Sequence, residues 1–166
     1  MAMLEANRHF LEDMFFYAYD SFAGLPAVTS EIKYDERWQE GTLTTTEEEF
    51  EQLILESGFS LNKVRLKKGY YNETLVNEVY QMCNNRKASL IAIDCDLYES
   101  AVPIFNSLDC IIQEGTILYL DDYFTGYKGN PTKGVSRAFT DWLYKTDWKA
   151  EPYREVGWAG KSFILY

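Results

Sequence analysis

Two rhythms of apolar and polar residues take turns along this chain, one with the period of a helix and one with that of a strand. Residues 4 to 13, LEANRHFLED, have helical character, and MFFYAYD at 14 to 20 is an aromatic, strand-like run followed by DSFAGLP, where Gly24 and Pro26 mark a loop. The stretch from 27 to 45 is irregular and polar, with Tyr34 and Trp38 as its anchors. Thr46 followed three residues on by Glu49 has the spacing of a capping box, and Phe50, Leu53 and Ile54 give one apolar face, so a helix is predicted from Thr46 to about Gly58. In KVRLKKG, Val64 and Leu66 alternate with Lys63, Arg65 and Lys67, which predicts a strand with one solvated face.

The rhythm returns to helix in YNETLVNEVYQMCNN through Leu75, Val79 and Met82. SLIAID at 89 to 94 is continuously apolar before its Asp, which predicts a strand buried on both faces. A helix over 100 to 113 is carried by Val102, Ile104, Phe105, Leu108 and Ile112, with Pro103 in its first turn. GTILYLD at 115 to 121 is the next buried strand, residues 132 to 145 form a helix through Val135, Phe139, Trp142 and Leu143, and YREVGWAGKSFILY closes the chain as a hairpin around Gly157 to Gly160. Strands alternating with helices predict an α/β fold: three layers, a mostly parallel sheet and a C-terminal antiparallel hairpin, within a single domain over 1–166.

Composition narrows the classes of partner. The chain has 166 residues, 46% of them apolar and 16% aromatic, enough to build a core. A formal charge of -10 argues against nucleic-acid and anionic-membrane partners, whose surfaces would repel it. No run reaches the roughly 18 apolar residues of a membrane span. Cys83, Cys95 and Cys110 have no metal spacing, and no charged-then-apolar leader is seen, which together lead us to expect a reduced, cytoplasmic protein. Cys95, between two aspartates, reads as a small buried hydrophobe, because a reactive thiol needs positive charge nearby. His9 lies outside every motif, and Trp38, Trp142, Trp148 and Trp158 read as packing anchors.

The candidate chemistry sits where strands run out. IAIDCDLYES ends one apolar strand in Asp94 and Asp96, and ILYLDDYF ends another in Asp121 and Asp122. In open α/β sheets, ligands bind beyond the carboxyl ends of the strands. Carboxylates converging there repel one another unless a cation intervenes, and oxygen ligands suit Mg²⁺, Ca²⁺ or Mn²⁺ better than zinc. The plainer alternative is that each Asp simply caps a turn or a helix. A phosphatase-type or sugar-nucleotide DxD also fits the spacing, with nothing else in the chain to support either.

Taken in order, YDSFAGLP, GTLTTTEEEFEQLILESGF, VRLKKGYYNETL, IAIDCDLYES and GTILYLDDYFTG resemble the macrocin O-methyltransferase (TylF-type) family over roughly residues 14 to 145. The resemblance implies a Rossmann-like methyltransferase fold, S-adenosylmethionine as methyl donor, a divalent cation such as Mg²⁺, and a sugar or small-molecule hydroxyl as acceptor. It implies that Asp94, Asp121 and Asp122 hold the metal and that Asp94 also takes the acceptor's proton. Asp20 matches the acidic position that receives the cofactor's ribose, and Tyr70 and Tyr71 lie near the adenine side, where core or rim packing is the alternative. Asp96 matches a family position of undefined role, on the same face as Asp94 if the strand continues.

One part of the family pattern has no counterpart. A first strand and Gly-rich turn precede the aromatic strand in the family, whereas the thirteen residues before Met14 contain no glycine and have a helical pattern. The resemblance is thus to an N-terminally truncated member. We expect the gap to be closed by direct pairing of strands 14 to 19 and 89 to 94, or by a homo-oligomer in which another copy completes the sheet. Two functions follow as expectations: a cation-dependent O-methyltransferase, or a catalytically inactive shortened relative that serves as an oligomeric or ligand- and metal-binding module.

Overall fold

The structure, a computed structural model, describes residues 14–27, 38–82 and 86–166. The helix expected over 4 to 13, with His9, and the anchor Tyr34 lie outside the described residues, as does Cys83. The chain forms two compact units, Met1–Tyr70 and Tyr71–Tyr166.

In the first unit, β1 (Phe16–Asp20) pairs in parallel with β2 (Val64–Lys68), from Phe16 opposite Val64 to Asp20 opposite Lys68. Between them lies α1 (Glu47–Glu56), which starts where the capping box predicts. Glu49 N donates to Thr46 Oγ1 at 3.1 Å and Thr46 N donates to Glu49 Oε2 at 2.9 Å, so two backbone donors at the helix start are satisfied. Gly58, at φ +76°, turns the chain out of the helix. Ile54 and Phe59 form a small buried core with Phe16, Phe50, Leu61 and Val64 packed against it, and the Phe16 and Phe59 rings meet edge to face at 5.0 Å.

In the second unit, α2 (Tyr71–Met82) leads to β3 (Leu90–Ile93), α3 (Tyr98–Ser107), β4 (Ile117–Leu120), α4 (Gly134–Lys145), β5 (Ala150–Val156) and β6 (Gly160–Leu165). The sheet order is β3-β4-β6-β5, with β3 and β4 parallel and the terminal hairpin antiparallel. Ile93, Leu118, Leu120, Phe163 and Leu165 bury one sheet face against Ala101 and Phe105 of α3 and Val135, Ala138, Phe139 and Trp142 of α4. Phe105 stacks on Trp142 at 5.6 Å between ring centres, so the two helices share an aromatic seam. Cys110 is disulfide-bonded, which corrects the fully reduced state expected from the sequence, and Cys95 is a buried free thiol.

Mixed α/β architecture with parallel and antiparallel strands is therefore observed, with several local differences from expectation. β1 and β3 belong to separate sheets, so the expected direct pairing of 14 to 19 with 89 to 94 is not formed. β3 is not buried on both faces: Leu90 is 53% exposed and Ala92 is also exposed, and the strand covers the core with one face only, through Ile91 and Ile93. α3 begins at Tyr98 and ends at Ser107, earlier than the 100 to 113 span, so Pro103 sits inside the helix and not in its first turn. Leu108 and Ile112 remain buried, but as part of a turn packed on the core. Trp142 is a core residue and Trp148 packs against the core, whereas Trp158 is 82% exposed in the β5–β6 turn and anchors nothing.

Candidate functional site

Parallel pairing brings the ends of β3 and β4 together. Leu90 to Ile93 pair in register with Ile117 to Leu120, and Asp121 N donates to Ile93 O at 2.9 Å, which carries the ladder one step past the strands. Both chains then leave the sheet at their first carboxylate, Asp94 and Asp121. Beyond Asp94 the backbone makes a three-residue turn in which Leu97 N donates to Cys95 O at 2.5 Å, with Asp96 at φ +56°. Left-handed backbone is costly for most side chains and least so for Asp and Asn, so an Asp at its centre suits the turn. The turn aims the Asp96 amide at Asp122, whose Oδ2 accepts it at 2.8 Å.

Asp94, Asp96 and Asp122 each present a carboxylate oxygen within 4.8 Å of the others. Asp94 is exposed, Asp96 is half-buried and Asp122 is buried, so the group runs from solvent down to the sheet end. Burial, then the neighbouring charges of Asp96 and Asp94, push the Asp122 carboxyl up to about 6, although the Asp96 amide and the Thr125 hydroxyl hydrogen-bond to it and oppose the shift. An oxygen-only set of three carboxylates, one of them reluctant to ionise beside the other two, fits a hard divalent cation. The same surroundings, burial first and then Asp122, Asp96 and Asp94, push the Cys95 thiol well up, in keeping with a small buried hydrophobe.

Asp121, assigned to the metal by resemblance, lies outside this group of three. Its Oδ1 accepts a short hydrogen bond from the Tyr119 hydroxyl, which with burial and the Asp121 charge drives the tyrosine up to about 12. The structure thus brings together two of the three expected ligands, Asp94 and Asp122, and adds Asp96. Sequence reasoning passed over Tyr119. Its signal was present, since residues two apart on a strand share a face, and Tyr119 and Asp121 are two apart.

Of the residues expected at the cofactor, Asp20 and Tyr70 belong to the first unit and Tyr71 to the second. Asp20 ends β1, and its Oδ1 accepts the Phe22 amide at 2.6 Å, a local turn bond. Gly69 N donates to Asp20 O at 2.9 Å, and Gly24, at φ +79°, packs where any side chain would strike the Gly41 and Thr42 backbone. Tyr70 is half-buried, and Tyr71 opens α2 packed against the core of the second unit. A further contact set joins Tyr98 to α4: its hydroxyl donates to Asp141 at 3.2 Å, and the Arg137 guanidinium lies 4.4 Å above its ring. No helix among the described residues is long and apolar enough to cross a membrane.

No curated protein matches the chain in sequence. Among solved structures it is similar in fold to "Structure of the O-methyltransferase NovP", with a TM-score of 0.73 and 22% identity over 94% of this chain and 62% of that one. It is likewise similar to "Crystal Structure of CalS11, Calicheamicin Methyltransferase", with a TM-score of 0.70 and 16% identity over 90% of this chain and 60% of that one. The chain thus spans about three fifths of each of these proteins. In sequence, residues 1–161 match the family described as Macrocin-O-methyltransferase (TylF), and the chain belongs to that family.

Proposed function

We propose that this protein is an O-methyltransferase that uses S-adenosylmethionine and a divalent cation such as Mg²⁺ to methylate a hydroxyl of a sugar or other small molecule. The observation that carries the reading is the convergence of Asp94, Asp96 and Asp122 beyond two paired strand ends, in a member of the TylF family. The cation would supply Lewis acidity to the acceptor oxygen, and the donor would supply the methyl group. In this reading Asp94, the exposed member of the group, would accept the proton that the hydroxyl loses, and buried Asp122 would hold the cation from the inner side. Asp20 and Tyr70 are the residues of this chain offered to the donor's ribose and adenine. The net charge of -10 fits a small-molecule acceptor and neither nucleic acid nor an anionic membrane, and we place the protein in the cytoplasm as a homo-oligomer.

Titration calorimetry with millimolar S-adenosylmethionine in the presence of Mg²⁺ tests the reading, and the expected result is a heat of binding. A second reading is that the chain is a catalytically inactive relative, an oligomeric or ligand- and metal-binding module. It is favoured by the sheet pairings, since β1 and β3 each pair on one side only among the described residues. Its signature is thermal stabilisation by Mg²⁺ with no heat from S-adenosylmethionine, and turnover with any acceptor would exclude it.

A further inference from the structure

Trp158 is the most exposed tryptophan among the described residues, yet the turn that carries it is firmly held. Gly157, at φ +63°, makes the bend after β5, and Val156 pairs with Gly160 across it. Ala159 is buried, and its carbonyl accepts the Phe124 amide at 2.8 Å, which fastens the turn to the loop that follows Asp122. Gly160 is buried too, so close to Tyr119 that a Cβ there would lie 2.7 and 2.9 Å from the ring atoms Cε2 and Cζ. Because β6 runs antiparallel to β4, with Lys161 opposite Leu120, the turn stands at the carboxyl end of β4. Asp121 and Asp122 lie at that same end. An indole is thus displayed on a fixed turn at the end of the sheet where α/β folds bind their ligands.

We propose that Trp158 is the platform for the acceptor, its indole face stacking on the C–H face of a pyranose ring whose hydroxyl is turned to the strand-end carboxylates. This rests on the reading of the protein as an O-methyltransferase and narrows its acceptor class to a sugar. The face of an aromatic ring carries partial negative charge and the C–H groups of a pyranose partial positive charge, so the two attract while the sugar hydroxyls stay free for polar partners. The surroundings favour one small ring over a protein partner. Arg154 and Glu155 stand exposed between Tyr153 and Val156 on β5, whereas the core of a protein interface is depleted of charge. The loop to which the turn is fastened is itself braced: the Tyr123 and Phe124 rings meet edge to face at 4.9 Å, and the Lys161 ammonium lies 5.4 and 5.6 Å from their centres. Fixed placement lowers the ordering cost that a single stacking contact has to overcome.

The test uses the full chain with methyl β-D-glucopyranoside as probe and sorbitol, an open-chain polyol without a ring face, as control. Saturation-transfer NMR, with the protein's aromatic protons irradiated, reads contact between an aromatic ring and the probe's C–H groups. The expected result is transfer to the pyranoside, strongest at the C–H groups of one ring face, and none to sorbitol. Trp158→Leu keeps an apolar side chain without a π face and is expected to weaken the transfer about fivefold, and Trp158→Tyr to restore about half of it. The exposed position makes both substitutions compatible with the fold, which an unchanged melting temperature verifies. The proposal is overturned if wild type shows no transfer, if sorbitol receives as much, or if Trp158→Leu matches wild type. It is also overturned if Trp158→Leu changes the particle mass by light scattering, since the ring would then belong to a contact between copies. Calorimetry with S-adenosylmethionine on the same samples separates the two readings. Heat of binding without sugar transfer defeats this inference alone, and transfer without heat upholds the sugar platform and defeats the methyltransferase reading. The absence of both defeats the two together.

Discussion

β1 ends in an aspartate and β3 is followed directly by one, and the two carboxylates do different work. Asp20 turns back on its own chain: its Oδ1 accepts the amide of Phe22, two residues on, and the bond closes a local loop. The end of β3 reaches across instead, and Asp94 and Asp96 meet Asp122, which is separated from Asp96 by 26 residues of sequence. An acidic residue at a strand end is therefore not in itself a site. What separates the two cases is a parallel neighbour whose own end carries a carboxylate: β4 supplies one beside β3, whereas Lys68 stands opposite Asp20 at the end of β2.

The largest effect that can sharpen this contrast is the pH dependence of the cation-free protein. Asp122 titrates at about 6 when folded, against an ordinary 3.8, so the folded state keeps a proton that the unfolded chain has already lost. Its contribution is therefore favourable below about pH 4 and is lost as pH rises through about 6, a swing of up to about 3 kcal/mol. Denaturant melts in EDTA are expected to show stability falling across that window, and Asp122→Asn, which keeps an oxygen for the Asp96 amide, is expected to flatten the slope. A divalent cation reverses the sign, because it favours the ionised group, so Mn²⁺ binding is expected to tighten as pH rises through about 6.

Much of this was legible in the amino-acid pattern, and the limits are physical. Thr46 and Glu49 announced α1 because a capping box is a local arrangement, settled within one turn. That the two acidic strand ends could converge was legible from two apolar runs with a helix between, and the parallel pairing of β3 with β4 puts Asp94 and Asp122 in reach of each other. The role of Asp96 was not legible, because it depends on a backbone at φ +56° that a strand continuing past Ile93 would not have. The company of Asp121 was hidden for a different reason. Alternation put Tyr119 on its face, but only a glycine some forty residues later, Gly160, lets the ring reach it. Direct pairing of β1 with β3 was expected from the need to satisfy edges, and the structure places them in separate sheets.

A slightly smaller effect bears on the same contrast through binding. Asp94→Asn exchanges a carboxylate of the acidic group for a neutral amide and is expected to weaken Mn²⁺ by about 100-fold, equivalent to about 2.7 kcal/mol. Asp20→Asn is the matched control, since it removes the same charge at the end of another strand. It is expected to leave Mn²⁺ affinity unchanged by calorimetry. Equal losses in the two variants would mean that long-range charge, and not a built ligand set, governs the affinity, and the distinction between the two strand ends would collapse.

The smallest effect concerns what Asp20 does at home. If its carboxylate is a turn residue, removing it costs about as much as losing an N-cap, roughly 1 kcal/mol, and the Thr46→Ala cap variant of α1 sets the scale in the same unit of the chain. Asp20→Asn retains an oxygen to accept the Phe22 amide and is expected to cost only a few tenths, whereas Asp20→Ala exposes that amide at a residue already held at φ +50°. Urea denaturation of the three variants orders them: Thr46→Ala and Asp20→Ala together, Asp20→Asn close to wild type. If Asp20→Asn proved as costly as Asp20→Ala, the charge and not the hydrogen bond would be the part that matters, as it would be if Lys68, opposite in register, drew on it. The strand-end aspartates would then differ in their electrostatic partners and not in whether they close a turn.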